Sequence, residues 1–159
     1  MKIELVQSPA ILAGHTAAQS FFASCFDEGA QATEQLWVAH LDDGARCIHL
    51  TRHDGGDSAV ALPVRAIIAD AARLGSAGIV LAHNHPSGDP TPSAADCRAT
   101  RTLARAGETI DMAVVDHLVF APGGECRSFR RMGLLYLSFG QGLIAPGAGR
   151  GRPAWNAMT

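Results

Sequence analysis

The sequence predicts an α/β fold, a mixed β-sheet flanked by helices. Three observations point there. Segments with apolar residues at helical spacing alternate with strand-like runs. One run, Gly78-Ile79-Val80-Leu81-Ala82, is apolar throughout, the mark of a strand covered on both faces. Two others flank the turn signal Asp42-Asp43-Gly44 and read as a hairpin. Helices interleaved with strands, some of them in hairpins, give a sheet with helical cover.

The elements follow in order. Ser8-Pro9 reads as an N-cap and first helical position. Ile11, Leu12, Ala18, Phe22, Cys25 and Phe26 then keep helical spacing up to a stop at Gly29. Glu34 opens a strand that runs through Leu41, and Arg46 to Thr51 returns beside it. Gly55-Gly56 breaks the chain before a short strand at 58–62. Pro63 starts a second helix with Val64, Ile67, Ile68 and Ala71 on one face. The apolar strand at 78–82 leads directly into His83-Asn84-His85. Three prolines and a glycine make 86–92 a loop. Ser93 caps a third helix through about Ala106, Met112 to Phe120 is a strand, and Pro122-Gly123-Gly124 turns into a last strand at 125–129. Residues 1–140 are expected to form one domain, and the Gly-, Pro- and Ala-rich residues 141–159 a flexible tail.

Composition narrows the function. With 13 basic and 15 acidic side chains and no long basic run, the chain lacks the clustered charge that neutralises a phosphate backbone. Strong nucleic-acid binding is not expected, and any weak DNA contact should be lost by about 0.2 M salt. Cys25, Cys47, Cys97 and Cys126 form no C-x-x-C pair, which argues against a thiolate zinc site or a redox dithiol. Scattered cysteines, no signal-peptide pattern in residues 1–14 and no 18-residue apolar window predict a cytoplasmic protein without membrane spans.

The chemistry concentrates in His83-Asn84-His85 and the residues that follow, through Ser93 and Asp96. Side chains alternate along a strand, so His83 and His85 share a face and can both reach one ion. A catalytic zinc takes three protein ligands and leaves its fourth position to water. Asp96, in the first turn of the next helix, is the candidate third ligand, with the proline-rich loop folding that turn back over the strand end. A metal there would activate water and polarise a carbonyl, and a carboxylate outside the ligand set would serve as general base. Ser93 has two readings. It starts an S-x-x-D helix cap, and its hydroxyl is also placed to assist an oxyanion.

His-x-His, seven residues, Ser, two residues, Asp is the JAMM motif, and HNHPSGDPTPSAAD resembles the RadC-like members of the JAB/MPN metalloprotease superfamily. The resemblance runs from about Glu34 to Leu135 and takes in Pro63-Val64-Arg65, Thr100, Asp116-His117 and Ser128-Phe129. It implies a JAB/MPN, cytidine-deaminase-like architecture, with one zinc per chain held by His83, His85 and Asp96. It also implies that Glu34 is the general base, that Ser93 assists the tetrahedral intermediate, and that a peptide or protein is the substrate. With the first predicted helix about eight residues in, the helix-hairpin-helix segment that precedes the metal domain of longer RadC-like proteins is not expected here.

Other readings compete. A non-catalytic MPN-type module, or an accessory role in DNA repair, would not need the full ligand set. An HNH nuclease disperses its three residues through a hairpin-helix element. A zinc nucleobase deaminase would need H-x-E and P-C-x-x-C, and both are missing. Asp116 and His117 read equally as partners orienting a ligand imidazole and as a structural polar pair. His15, His40, His49 and His53 carry no motif, and the sequence is silent on oligomeric state.

Overall fold

The computed structural model describes residues 9–26, 32–54 and 62–135. The elements in chain order are α1 (His15–Ala23), β1 (Gln35–Leu41), β2 (Cys47–Asp54), α2 (Val64–Leu74), β3 (Gly78–Asn84), α3 (Ala94–Glu108), β4 (Ala113–Phe120) and β5 (Cys126–Ser128). The expected tail at 141–159 lies outside the described residues, as does all but Leu62 of the strand expected at 58–62.

The strands form one mixed sheet in the order β2-β1-β3-β4-β5. Only β3 and β4 run parallel, joined by α3 as the crossover that a parallel pair requires. The apolar run at 78–84 is buried at every position, as its composition predicts for a central strand. Leu12, Phe22, Ala39, Val80 and Leu118 pack on one face of the sheet with α1. Leu36, Ile67, Ile79, Leu81 and Leu103 pack on the other, under α2 and α3. This is the α/β architecture expected, with helical cover on both faces.

The first helix starts later than its sequence pattern suggests. Residues 10–12 do not coil but lie beside the start of β2. The Leu12 amide donates to the Ala45 carbonyl, the Cys47 amide donates to Ala10, both at 2.8 Å, and Ile11 bridges Arg46. Gly14, with φ 108°, then turns the chain into α1 without a side-chain cap. Pairing with an available strand end outcompeted the Ser8-Pro9 start signal. By contrast, Pro63 precedes α2 as read, and Gly75 ends that helix in the left-handed conformation that suits glycine.

One irregularity sets the site. Between Ile79 and Val80 the β3–β4 register slips, so Ile79 pairs with Val114 but Val80 with Asp116. The extra residue, Val115, reverses the alternation along β4. Val114 and Val119 face α2 and α3, whereas Val115, Leu118 and Phe120 face α1. The bulge therefore sends His117 to the α3 side, where His83 stands, and Asp116 to the α1 side.

Candidate metal centre

His83 stands at the end of β3, His85 is the residue just past it, and Asp96 lies in the first turn of α3. The structure brings these three together. His83 Nε2 and His85 Nε2 are 2.9 Å apart, and Asp96 Oδ2 lies 3.5 Å from the first and 3.4 Å from the second. Among the described residues this is the only group of three or more His, Cys, Asp or Glu side chains able to hold a metal ion. Ligand atoms around tetrahedral zinc, with bonds of roughly 2.0–2.1 Å, are separated by about 3.3–3.4 Å. The three observed separations bracket that spacing, so the residues fit a tetrahedral ion.

The hydrogen bonds behind the triad fix its protons. Thr100 Oγ1 donates its single proton to the Asp96 carbonyl at 2.7 Å, so it can only accept from His117 Nδ1, 2.8 Å away. His117 Nε2 is then an acceptor and takes the Nδ1 proton of His83 at 2.7 Å. His117 is fully buried, and burial holds its pKa well below 6.5, which keeps the ring neutral. His85 Nδ1 donates to the Asp89 carbonyl at 2.8 Å. Both ligand imidazoles thus turn an Nε2 lone pair toward Asp96 Oδ2. Two lone pairs and a carboxylate oxygen at such separations can hold a cation between them. The Asp96 carboxylate beside it raises the pKa of His85, against the opposing effect of burial. Burial pushes the Asp96 pKa up, but the neighbouring imidazoles of His83 and His85 outweigh it and hold the carboxyl well below its usual range.

Asp96 is itself held by the helix start. Its Oδ2 accepts the Ser93 amide at 2.8 Å, and its amide donates to Ser93 Oγ at 3.0 Å, a complete capping box. The structural reading of Ser93 is therefore realised. The cap uses a lone pair of the hydroxyl and leaves its proton free to donate.

Glu34 stands one residue ahead of β1. The last regular β1–β3 pair is Leu36 with His83, and the same register carried two residues further sets Glu34 opposite His85. Opposite residues share a sheet face, and the Glu34 charge contributes to raising the His85 pKa.

The Asp116-His117 pair divides. His117 backs the candidate ligand His83. Asp116 instead accepts Ser128 Oγ at 2.6 Å, the His117 amide at 2.7 Å and the Arg130 amide at 3.0 Å, tying β5 and the turn after it to β4. Sequence reading offered His117 as one of two candidates to orient a ligand imidazole, but it missed the Thr100 hydroxyl behind that ring and the side-chain amide of Asn84.

Comparison with known proteins agrees with this geometry. Residues 13–134 match the family described as RadC-like JAB domain. The chain is similar to a UPF0758 protein of Roseiflexus castenholzii, 40% identical over 105 residues that make up 65% of this chain and 45% of that protein. A UPF0758 protein of Symbiobacterium thermophilum is 51% identical over 71 residues, 45% of this chain and 30% of that one. Another, from Bordetella avium, is 49% identical over 94 residues, 57% of this chain and 41% of that one. The chain thus spans less than half the length of these relatives.

Proposed function

The chain belongs to the RadC-like JAB domain family, and on that premise we propose that it is a zinc-dependent amide hydrolase, a peptidase or isopeptidase acting on a peptide or protein. The observation that carries this reading is the convergence of two imidazole lone pairs and one carboxylate oxygen within 3.5 Å. His83, His85 and Asp96 would hold one zinc per chain, and three protein ligands are the set that leaves a catalytic ion an open position. An ion bound there lowers the pKa of water and polarises the scissile carbonyl. Glu34, outside the ligand set, takes the proton of the attacking water and returns it to the leaving amine. The free proton of the Ser93 hydroxyl donates to the developing oxyanion. No disulfide joins the four cysteines, which fits a reducing cytoplasm. No helix among the described residues is long and apolar enough to cross a membrane.

The test is a peptide library incubated with the zinc-loaded chain and read by mass spectrometry for new termini. Glu34→Gln keeps shape and removes basicity, so it should retain zinc and lose on the order of 10²–10⁴ in rate. Asp96→Asn should weaken zinc binding itself, because a neutral amide is a poor ligand. Equal product from wild type and Glu34→Gln would contradict the mechanism and favour a non-catalytic interaction module or DNA-repair accessory.

A further inference from the structure

Asn84 sits between the two candidate ligands in sequence but on the opposite face of the sheet, among residues of the α1 side such as Phe26 and Phe120. It is buried, and both ends of its amide are engaged. Oδ1 accepts the Gln35 amide proton at 2.7 Å, and Nδ2 donates to the Thr33 carbonyl at 3.1 Å. These two bonds straddle Glu34. The regular β1–β3 ladder stops at Leu36 and His83, so Glu34 lies two residues beyond it. Across the other edge of β1 the ladder to β2 reaches Gln35 and Asp54, so it is on the β3 side that this strand end lacks ladder bonds. The amide of Asn84 replaces the missing ladder bonds on either side of Glu34.

The clamp belongs to the same strand as the ligands. β3 continues past β1 and remains paired to β4 through Asn84 and Phe120, and the His85 amide donates to the Phe120 carbonyl at 2.8 Å. Three consecutive residues, His83, Asn84 and His85, thereby set the ligands and the backbone that carries the base in one rigid frame. Resting on the reading of Glu34 as general base, we propose that Asn84 is a positioning residue that holds Glu34 against the His83–His85 edge. A base must lie within about 2.6–3.2 Å of the proton it takes. A misplacement of about 1 Å is enough to lose on the order of 10² in rate.

The test uses the full chain loaded with Co²⁺, whose visible bands report the groups around its open coordination position. Four proteins are compared: wild type, Glu34→Gln, Asn84→Ala and the double variant. Asn84→Ala should shift the bands in the same sense as Glu34→Gln, and the double variant should show no further shift. Co²⁺ affinity in Asn84→Ala should fall by less than the ~10–100-fold that follows loss of a ligand's own hydrogen-bond partner. Wild-type bands in Asn84→Ala, with altered bands in Glu34→Gln, would overturn the clamp alone. Additive shifts in the double variant would overturn it too, because Asn84 would then act on the ligands rather than through Glu34. Unchanged bands in Glu34→Gln would instead overturn the placement of the base on which the proposal rests. If the alanine protein does not fold, Asn84→Leu fills the volume while removing both bonds, and the same outcomes apply to it.

Discussion

The imidazole of His40 is fully buried, with Nδ1 2.9 Å from Ser76 Oγ and Nε2 lacking a protein partner among the described residues. Burial lowers its pKa from 6.5 to about 4. The unfolded chain therefore binds this proton more readily, and the stability held above pH 6.5 is lost as pH falls toward 4. A depression from 6.5 to about 4 corresponds to about 3 kcal/mol. Urea unfolding at pH 7 and pH 4.5 should show a loss of that order, and His40→Gln should flatten it. At the metal centre, His117→Phe removes the acceptor for His83 Nδ1 and should lower metal affinity by ~10–100-fold, measured by chelator competition. Asp116→Asn should lower the melting temperature and leave affinity near wild type, because its bonds go to Ser128, Arg130 and the His117 backbone. Sequence could name this pair but not divide it. Strict alternation puts neighbours on opposite faces without saying which faces which, and the bulge at Val115 reverses the answer along β4.

Elements were legible where one signal acted alone. The apolar run of β3, the Asp42-Asp43-Gly44 hairpin, Pro63 before α2 and the capping box before α3 all formed as read. The start of α1 was not, because residues 10–12 had a tertiary partner in β2 that local pattern does not contain. The C-terminus of α3 offers a test of such packing. A Cβ on Gly107 would lie 2.6 Å from the Met112 carbonyl oxygen and 2.5 Å from its Cε. The same glycine accepts the Met112 amide at 2.9 Å, so the helix end and the approach to β4 are fitted together there. Helix propensity alone favours alanine over glycine by about 1 kcal/mol. Overpacking against backbone works in the other direction, and Gly107→Ala should destabilise the fold by about 1–3 kcal/mol. Thermal melting checks both the sign and the size.

Across the whole molecule, the fold brings the candidate ligands together from separated segments. The histidine pair comes from the end of β3 and the residue after it, Asp96 from the start of α3, and the proposed base Glu34 from the residue ahead of β1. The His-x-His and Asp part of that site was readable because strand and helix periods dictate which side chains converge. Glu34 is proposed from family resemblance alone, since nothing local distinguishes it from a surface carboxylate. Asn84 was not readable at all, because its contacts join residues 49 and 51 positions apart. The central claim is that this convergence holds a metal. Elemental analysis of the purified chain after mild chelation tests it most directly. About one zinc per chain is expected in the wild type, with loss of it in a His83→Ala, His85→Ala double variant. Full zinc retention by that double variant would place the metal elsewhere and contradict the account.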